Sequence, residues 1–327
     1  MSIKITGHDY IPHFFYFLDF NNNDLHLINL KSKFHSKQHI SVLDSNIIDT
    51  ERLDCKMLKD SRLSFFSYSS QMLVITDFSG EKELHRISLE NYLQNNEEIL
   101  VYYQRIYHVD KSSFYFPKIY KDIVLNSKNS FKEYFSRDCN ITVNIEDGVS
   151  QSYVKYPSVM RSGSYYGETD FFSWLENNKY IISFHVSDSI YEYENGKLSK
   201  TIYAGYSKDK NFNPFDINKI TDLRYTKIYS ATEPKYLQVV YNKKNNTYYR
   251  VFKQRVFLKD GKIPHDSEMK WSIISVADDD GSSQSYQMNE KQYTPYIIHP
   301  YKEGVLVSGV LNSIEDGFLN IDYLQFN

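Results

Sequence analysis

The chain has 327 residues and a formal net charge of −3, with 30 Tyr and 21 Phe against three Ala (Ala204, Ala231, Ala277). Ala is the strongest helix former, whereas Tyr, Phe, Val, Ile and Thr suit strands, so this composition argues against a helical bundle or a doubly wound α/β enzyme. Near-neutrality removes bulk electrostatic attraction to nucleic acid or anionic membranes, and the length allows a substantial core without disulfides or metals.

The first residues, MSIKITGHDY, show no basic segment followed by an apolar run and a small-residue cleavage site. The apolar stretch 11–20 is about half the length a bilayer requires and is interrupted by His13 and Asp19, so no transmembrane segment is expected. Residues 24–30, after the Asn21-Asn22-Asn23 turn, open a series of short strands. His35 and His39 are four apart, a spacing that on a helix would suit zinc. Their setting, KSKFHSKQH, is Lys-rich, lacks an intervening Glu and follows a strand, so it reads as a surface turn.

Strands at 62–66, 72–77 and 83–89 surround the Ser79-Gly80 turn, and 88–98 suits one short helix capped by Ser88. Cys55 and Cys139 show no metal or redox spacing and are expected to be reduced and non-catalytic. The firmest local pattern is 179–203. Ile181, Ile182, Phe184 and Val186 form a first strand, 189–194 a second, and 197–203 a third after Asn195-Gly196. Asn-Gly favours the type I′ turn whose twist matches a two-stranded ribbon. Residues 216–229 (DINKITDLRYTKIY) fit two helical turns and an irregular loop equally well. Further strands follow at 236–241 and 248–258, with a turn at Asp260-Gly261. A last set comprises 271–277, the Asp280-Gly281 turn, 285–288, 304–310 and 318–326.

Placing the meanders near 15–45, 60–90, 105–155, 165–205, 225–262 and 270–325 gives six units of roughly 54 residues, near the period of about 50 for kelch-type blades. A meander has two apolar faces and cannot bury both alone, and radial stacking around an axis buries them. The expected fold is therefore all-β: one six-bladed β-propeller domain over 1–327, with seven blades or another multi-sheet β architecture as the alternative.

Residues 179–205, with Ser187-Asp188-Ser189-Ile190-Tyr191 and then Asn195-Gly196-Lys197 leading to Ala204-Gly205, resemble a family of uncharacterised Bacteroidetes proteins classed as a domain of unknown function. The strand–turn–strand at 65–80 (FFSYSSQMLVITDFSG), Tyr156-Pro157, and 236–251 with Tyr248-Tyr249-Arg250 share its general pattern. The resemblance implies a six-bladed β-propeller, often a lipoprotein, and supplies no catalytic residues. The chain departs from it at Tyr206, where the pattern has a small residue, and at its start. The implied location is periplasmic or outer-membrane-associated where a leader has been removed, and cytoplasmic otherwise.

Catalytic signals are sparse. There is no Gly-x-Ser-x-Gly elbow and no phosphate-cradling Gly-rich loop. Asp278-Asp279-Asp280-Gly281-Ser282 lacks the alternate-residue ligands of a calcium loop and reads as a solvated hairpin turn. His185, within an apolar strand, reads as a hydrogen-bonded interior residue. Glu168, Asp170 and Asp188 are first choices for a carboxylate pair, though turn-capping roles suit them better. Neither metal nor cofactor is expected.

Two aromatic–basic clusters are candidate binding surface, since Tyr, Trp and Arg combine contact area, hydrogen bonding and cation–π geometry. One is the loop-like stretch 156–174, with Arg161, Tyr165, Tyr166 and Trp174; the other is Tyr249-Arg250. The favoured reading is a monomeric, non-enzymatic propeller binding a protein, peptide or glycan through its face loops. A propeller hydrolase or lyase and a structural subunit of a cell-envelope assembly are the rivals.

Overall fold

Turn chemistry sets the architecture. Asn195 and Gly196, at φ 50° and 74°, reverse the chain between Ser189–Glu194 and Lys197–Tyr203 in the left-handed conformation that a two-residue hairpin demands. Asn23, Asn178 and Asn246 hold positive φ at three further reversals, because Asn tolerates that region better than other side chains.

The computed structural model describes residues 3–6, 14–19, 22–29, 32, 35–43, 53–58, 62–94, 96–99, 107–108, 112–169, 171–176, 178–206, 211–258, 262–264, 268–288, 293–309 and 321–326. Among these residues the strands form six antiparallel sheets. The first contains β1 (Ile3–Thr6), β2 (Phe14–Asp19), β3 (Asp24–Asn29) and β4 (His35–His39). The second contains β5 (Leu53–Met57), β6 (Leu63–Ser67), β7 (Met72–Thr76) and β8 (Glu83–Ser88). The third has β9 (Glu97–Ile99), β10 (Tyr107–His108), β11 (Ser113–Tyr120), β12 (Asn140–Asn144) and β13 (Ser150–Gln151). The fourth has β14 (Phe171–Glu176), β15 (Lys179–Phe184), β16 (Ser189–Glu194) and β17 (Lys197–Tyr203). The fifth has β18 (Lys235–Asn242), β19 (Thr247–Lys253), β20 (Trp271–Ala277) and β21 (Ser283–Gln287). The last has β22 (Tyr293–Tyr301), β23 (Gly304–Gly309) and β24 (Ile321–Gln325).

The six meanders expected from the sequence are thus six sheets, with one boundary moved. The strands at 271–277 and 283–287 complete the fifth sheet, pairing through Tyr249↔Ser275 and its neighbours, and do not open the sixth. The connection 254–270 separates β19 from β20 along the chain and disguises their pairing. The stretch 88–98 forms a short 3-10 turn (Leu89–Tyr92) followed by β9. The Asp260-Gly261 turn lies outside the described residues.

The chain gathers into two compact units, residues 1–122 with 140–152 and residues 123–139 with 153–327. In the first, Leu25, Leu27, Cys55, Phe65 and Val74 form one apolar cluster and Phe66, Leu73, Phe114, Phe116 and Ile141 another. In the second, Phe172, Trp174, Ile181, Tyr236, Tyr248, Tyr249, Ile273 and Val305 share a single core. Both cysteines are buried thiols outside any disulfide. Burial runs down across each of the fourth and fifth sheets: all six residues of β14 are buried and all five of β21 exposed. Strands buried on both faces have lost the simple apolar–polar alternation and read as continuous apolar runs.

Among the described residues three α-helices lie in the second unit: α1 (Lys128–Ser136), the single turn α2 (Ser158–Arg161) and α3 (Leu223–Thr232). Asp222 caps α3, its carboxylate accepting the backbone N–H of Arg224 at 2.9 Å and of Tyr225 at 3.0 Å, which resolves the ambiguity of 216–229 in favour of helix.

Arg250, in the middle of β19, has no exposed surface. Its Nε donates to Ser183 Oγ at 2.8 Å, and one terminal nitrogen donates to the carbonyls of Phe184 (3.0 Å) and Ser187 (2.7 Å). The guanidinium sits 3.6 Å from the centre of the Tyr236 ring, whose hydroxyl donates to Asp188 at 2.5 Å. Burial lowers its pKa to about 10, with Tyr236 and Asp188 pulling the other way, so the group stays charged at neutral pH. Removing it strands several buried acceptors at once. Arg250→Met is expected to cost about 3–5 kcal/mol of stability in urea unfolding, and Arg250→Lys to restore little because an ammonium lacks the planar fork. A loss below about 1 kcal/mol for the Met variant would contradict this assignment.

Candidate functional site

The second unit contains an open cleft whose empty space, counted out into solvent, is about 600 Å³. Three segments build it: 165–168 ahead of β14, His185 and Val186 after β15, and 212–235, the connection from β17 that carries α3. Gly167 makes the first of these possible. At φ 81° it takes a conformation that side chains resist, and a Cβ there would lie 2.9 Å from the Tyr229 ring.

Five aromatic residues, Tyr165, Tyr166, Phe212, Phe215 and Tyr229, contribute to the wall. Tyr165 stacks on Phe131 of α1 (4.8 Å between centroids) and meets the edge of Phe215 at 5.7 Å. Phe215 in turn packs edge-on against Tyr225 and Tyr229 of α3 at 5.1 and 5.0 Å. The i, i+4 spacing of those two tyrosines puts both on one helix face. The Tyr229 hydroxyl donates to the Asn213 carbonyl at 2.6 Å. Burial and then the nearby Glu233 carboxylate push its pKa upward, so it remains a neutral donor.

Charge in the cavity comes in two paired sets. Glu168 binds Lys235 Nζ through one oxygen and lies 2.9 Å from His185 Nε2 through the other. Glu233 accepts from Arg255 at 2.6 Å and from the Asn213 backbone and side-chain amides at 3.3 and 3.2 Å. The state of His185 follows from its partners. Its Nδ1 is 2.9 Å from the Tyr236 carbonyl, which can only accept, so Nδ1 carries a proton. A second proton must then lie between Nε2 and Glu168, making the pair an imidazolium–carboxylate contact or its neutral equivalent.

The sequence-derived candidates divide in two. Tyr165 and Tyr166 line the cavity, each half-buried, together with Glu168. Arg161 is exposed at the end of α2. Trp174, expected in a loop, is buried in β14, because Phe171–Glu176 is a strand with every side chain inward. Its indole meets the His299 ring edge-on at 6.0 Å. Tyr249 and Arg250 are buried within β19 rather than displayed on a surface. Asp188 serves Tyr236, and Asp170 lies outside the described residues.

The Asp278–Ser282 segment is a turn in which Asp280 accepts the Ser282 N–H at 2.8 Å; Asp278 binds Lys200, Tyr241 and Tyr248. His35 and His39 lie on β4, an exposed strand and not a turn. His35 Nε2 faces His26 Nδ1 at 2.9 Å with ring centroids 5.1 Å apart and planes within 9°, the in-line arrangement of an N–H···N bond. Among the described residues no group of three or more His, Cys, Asp or Glu side chains is arranged to hold a metal ion.

Half of the cavity escaped the sequence. Phe212, Asn213, Phe215, Tyr229 and Glu233 belong to a connection legible only as helix or loop. The available signal was Asp222 before a Tyr225/Tyr229 pair, an N-cap followed by a one-sided aromatic face.

No family model matches the chain, and no curated protein matches it. Its fold is similar to that of a member of the DUF4221 family from Bacteroides vulgatus, with a TM-score of 0.70, 12% identity and 99% of each chain covered. It is also similar to a candidate exported protein from Bacteroides fragilis, with a TM-score of 0.53, 9% identity, and 96% of this chain and 85% of that one covered. At these identities the likeness is one of fold. It fits the resemblance to an uncharacterised Bacteroidetes family carried by 179–205 and 236–251. Among the described residues no helix is long and apolar enough to cross a membrane.

Beneath the cavity, Lys253 of β19 is buried and donates to the Ser230 carbonyl at 2.5 Å. Burial first, and the Lys235 ammonium second, bring its pKa down to about 7. An unfolded lysine titrates near about 10.4, so between pH 7 and about 10 the unfolded chain holds a proton that the folded one lacks, and stability rises with pH across that window. Urea midpoints measured at pH values of about 6.5, 8 and 9.5 are expected to climb in the parent protein and to flatten in Lys253→Met. Parallel profiles would show that Lys253 is not the group responsible.

Proposed function

We propose that this chain is a non-catalytic binding protein, its six sheets acting as the blades of one six-bladed propeller over 1–327, with the cavity beside α3 as its ligand site. The six antiparallel sheets in sequence order and the fold likeness to the Bacteroides vulgatus protein support the propeller. The fold likeness to the candidate exported protein from Bacteroides fragilis supports an envelope location.

The observation that carries the binding reading is the state of the cavity's charged groups. Glu168 and Glu233 are both committed to cations, while the exposed wall is aromatic and hydroxyl-bearing. Rigid aromatic walls with a few fixed polar groups are the usual composition of a small-ligand site. The hydrolase or lyase reading has one observation in its favour, the proton held between Glu168 and His185, since general acid–base chemistry needs such a pair.

Thermal unfolding in the presence of short oligosaccharides and of tripeptides separates the readings. A probe at about a hundred times its Kd stabilises by about 2.7 kcal/mol, and this gain is expected for at least one of the two classes, falling to about 1.4 kcal/mol in Tyr166→Ala, where binding is about tenfold weaker. Turnover of p-nitrophenyl glycosides or tripeptides that disappears in Glu168→Gln would establish the enzyme reading instead. The absence of stabilisation by either class would remove the cavity as a ligand site.

A further inference from the structure

Resting on the cavity reading above, we infer that the ligand is an uncharged saccharide, one ring of which stacks on Tyr166. Charge compensation is the first argument. Glu168 is satisfied by Lys235 and His185, and Glu233 by Arg255 and Asn213. An anionic ligand would meet two carboxylates. A cationic one would have to displace ammonium and guanidinium groups from bonds already made. Neither sign of charge finds an open partner, whereas a neutral molecule requires no pair to break.

The second argument is the residual hydrogen-bonding capacity. A carboxylate offers about four acceptor positions. Glu233 uses three of them. The position left over suits a hydroxyl donor, and Asn213, Thr226 and Ser230 add further polar groups to the wall. A polyol presents many hydroxyls over a short distance, matching a wall of scattered acceptors better than the regular amide spacing of a peptide.

Tyr166 supplies the third. Tyr165, Phe215 and Tyr229 are each locked by ring contacts to protein neighbours. Tyr166 is half-buried at the cavity wall, and neither a hydrogen bond nor a ring contact ties it to the described residues. An aromatic face without a protein partner is a platform. Its negative π surface attracts the polarised C–H groups on one side of a pyranose ring, an interaction of the same kind and size as aromatic pairing.

The test is calorimetric titration of the full chain with maltose, lactose and mannobiose, then with glucuronate, glucosamine and the tripeptide Gly-Tyr-Gly. At least one neutral disaccharide is expected to bind, with the charged sugars weaker by about tenfold or more. Tyr166→Ala is expected to weaken that binding by about tenfold without shifting the unfolding midpoint, and Tyr166→Phe to retain most of it. Equal or tighter binding of glucuronate or glucosamine overturns the inference, as does binding of the tripeptide alone; in either case the cavity remains a ligand site. Undiminished binding by Tyr166→Ala overturns the stacking role. Binding of none of the probes overturns both this inference and the cavity reading.

Discussion

The second unit depends on one buried cation. Arg250 projects from β19 and is received by the chain reversal after β15, where the Phe184 and Ser187 carbonyls and the Ser183 hydroxyl converge on its fork. An ionised group in a dry interior is tolerated only when its charge and every donor are answered. Here the answer comes from backbone dipoles, from the π face of Tyr236, and from Asp188 through the Tyr236 hydroxyl. The consequence reaches the cavity. Tyr236 is the second residue of β18, and its backbone N–H donates to the His185 carbonyl while its own carbonyl receives His185 Nδ1. Lys235 is the adjacent residue. The register that seats Arg250 is therefore the register that presents His185 and Lys235 to Glu168.

The same logic, a polar side chain from one sheet reaching into its neighbour, recurs wherever two sheets of a unit meet. In the first unit Gln71, in the reversal before β7, accepts the Ile99 N–H at 2.9 Å and donates to the Ile99 carbonyl at 3.2 Å, tying the second sheet to β9. In the second unit Asn242 donates to the Lys302 and Gly304 carbonyls at 2.9 and 2.8 Å, tying the fifth sheet to the sixth. Tyr248 of the fifth sheet donates to Glu192 of the fourth at 2.8 Å and lies 3.2 Å from Asp278. One hydroxyl proton faces two carboxylates there, which is why Lys179 and Lys200 stand beside them. Apolar area holds the sheets together, but it is non-directional. Hydrogen bonds of this kind fix which sheet lies against which, and in what register.

Much of this scaffold was written in local chemistry. Asn195-Gly196 and the alternation on either side of it specified three strands of the fourth sheet, because turn type and pleat period are decided within a few residues. The strand β14 was not legible for a physical reason: Phe171–Glu176 is buried on both faces, so the alternation that marks a half-exposed strand is missing. The helix α1 was missed because Lys128–Ser136 reads as polar and aromatic, and its start depends on the reciprocal hydrogen bonds between Ser127 and Ser130. Site residues were harder still. Tyr166 and Arg250 look alike in sequence, each beside another tyrosine, yet one lines a cavity and the other is wholly enclosed. Long-range neighbours make that difference: for Arg250 they are Ser183, Phe184 and Ser187, more than sixty positions away along the chain.

A chain so rich in tyrosine cannot mark its site by composition, so the partners of each ring have to do so. Tyr236, Tyr248 and Tyr249 lie in strands, and each hydroxyl is spent on a neighbouring group: Asp188, Glu192 and the Asn245 amide. Burial of a phenol costs free energy unless its hydroxyl is answered, and strands that stack face to face supply the answer from the next sheet. The segments that build the cavity escape that constraint. Residues 162–169, ahead of β14, and 211–234, ahead of β18, leave the strand pattern, with Gly163 and Gly167 at positive φ. Among the described residues neither a hydrogen bond nor a ring contact ties down Tyr166, which lines the cavity. Tyr236, Tyr248 and Tyr249 spend their hydroxyls holding sheets in register, whereas Tyr166 keeps its own for the ligand proposed above.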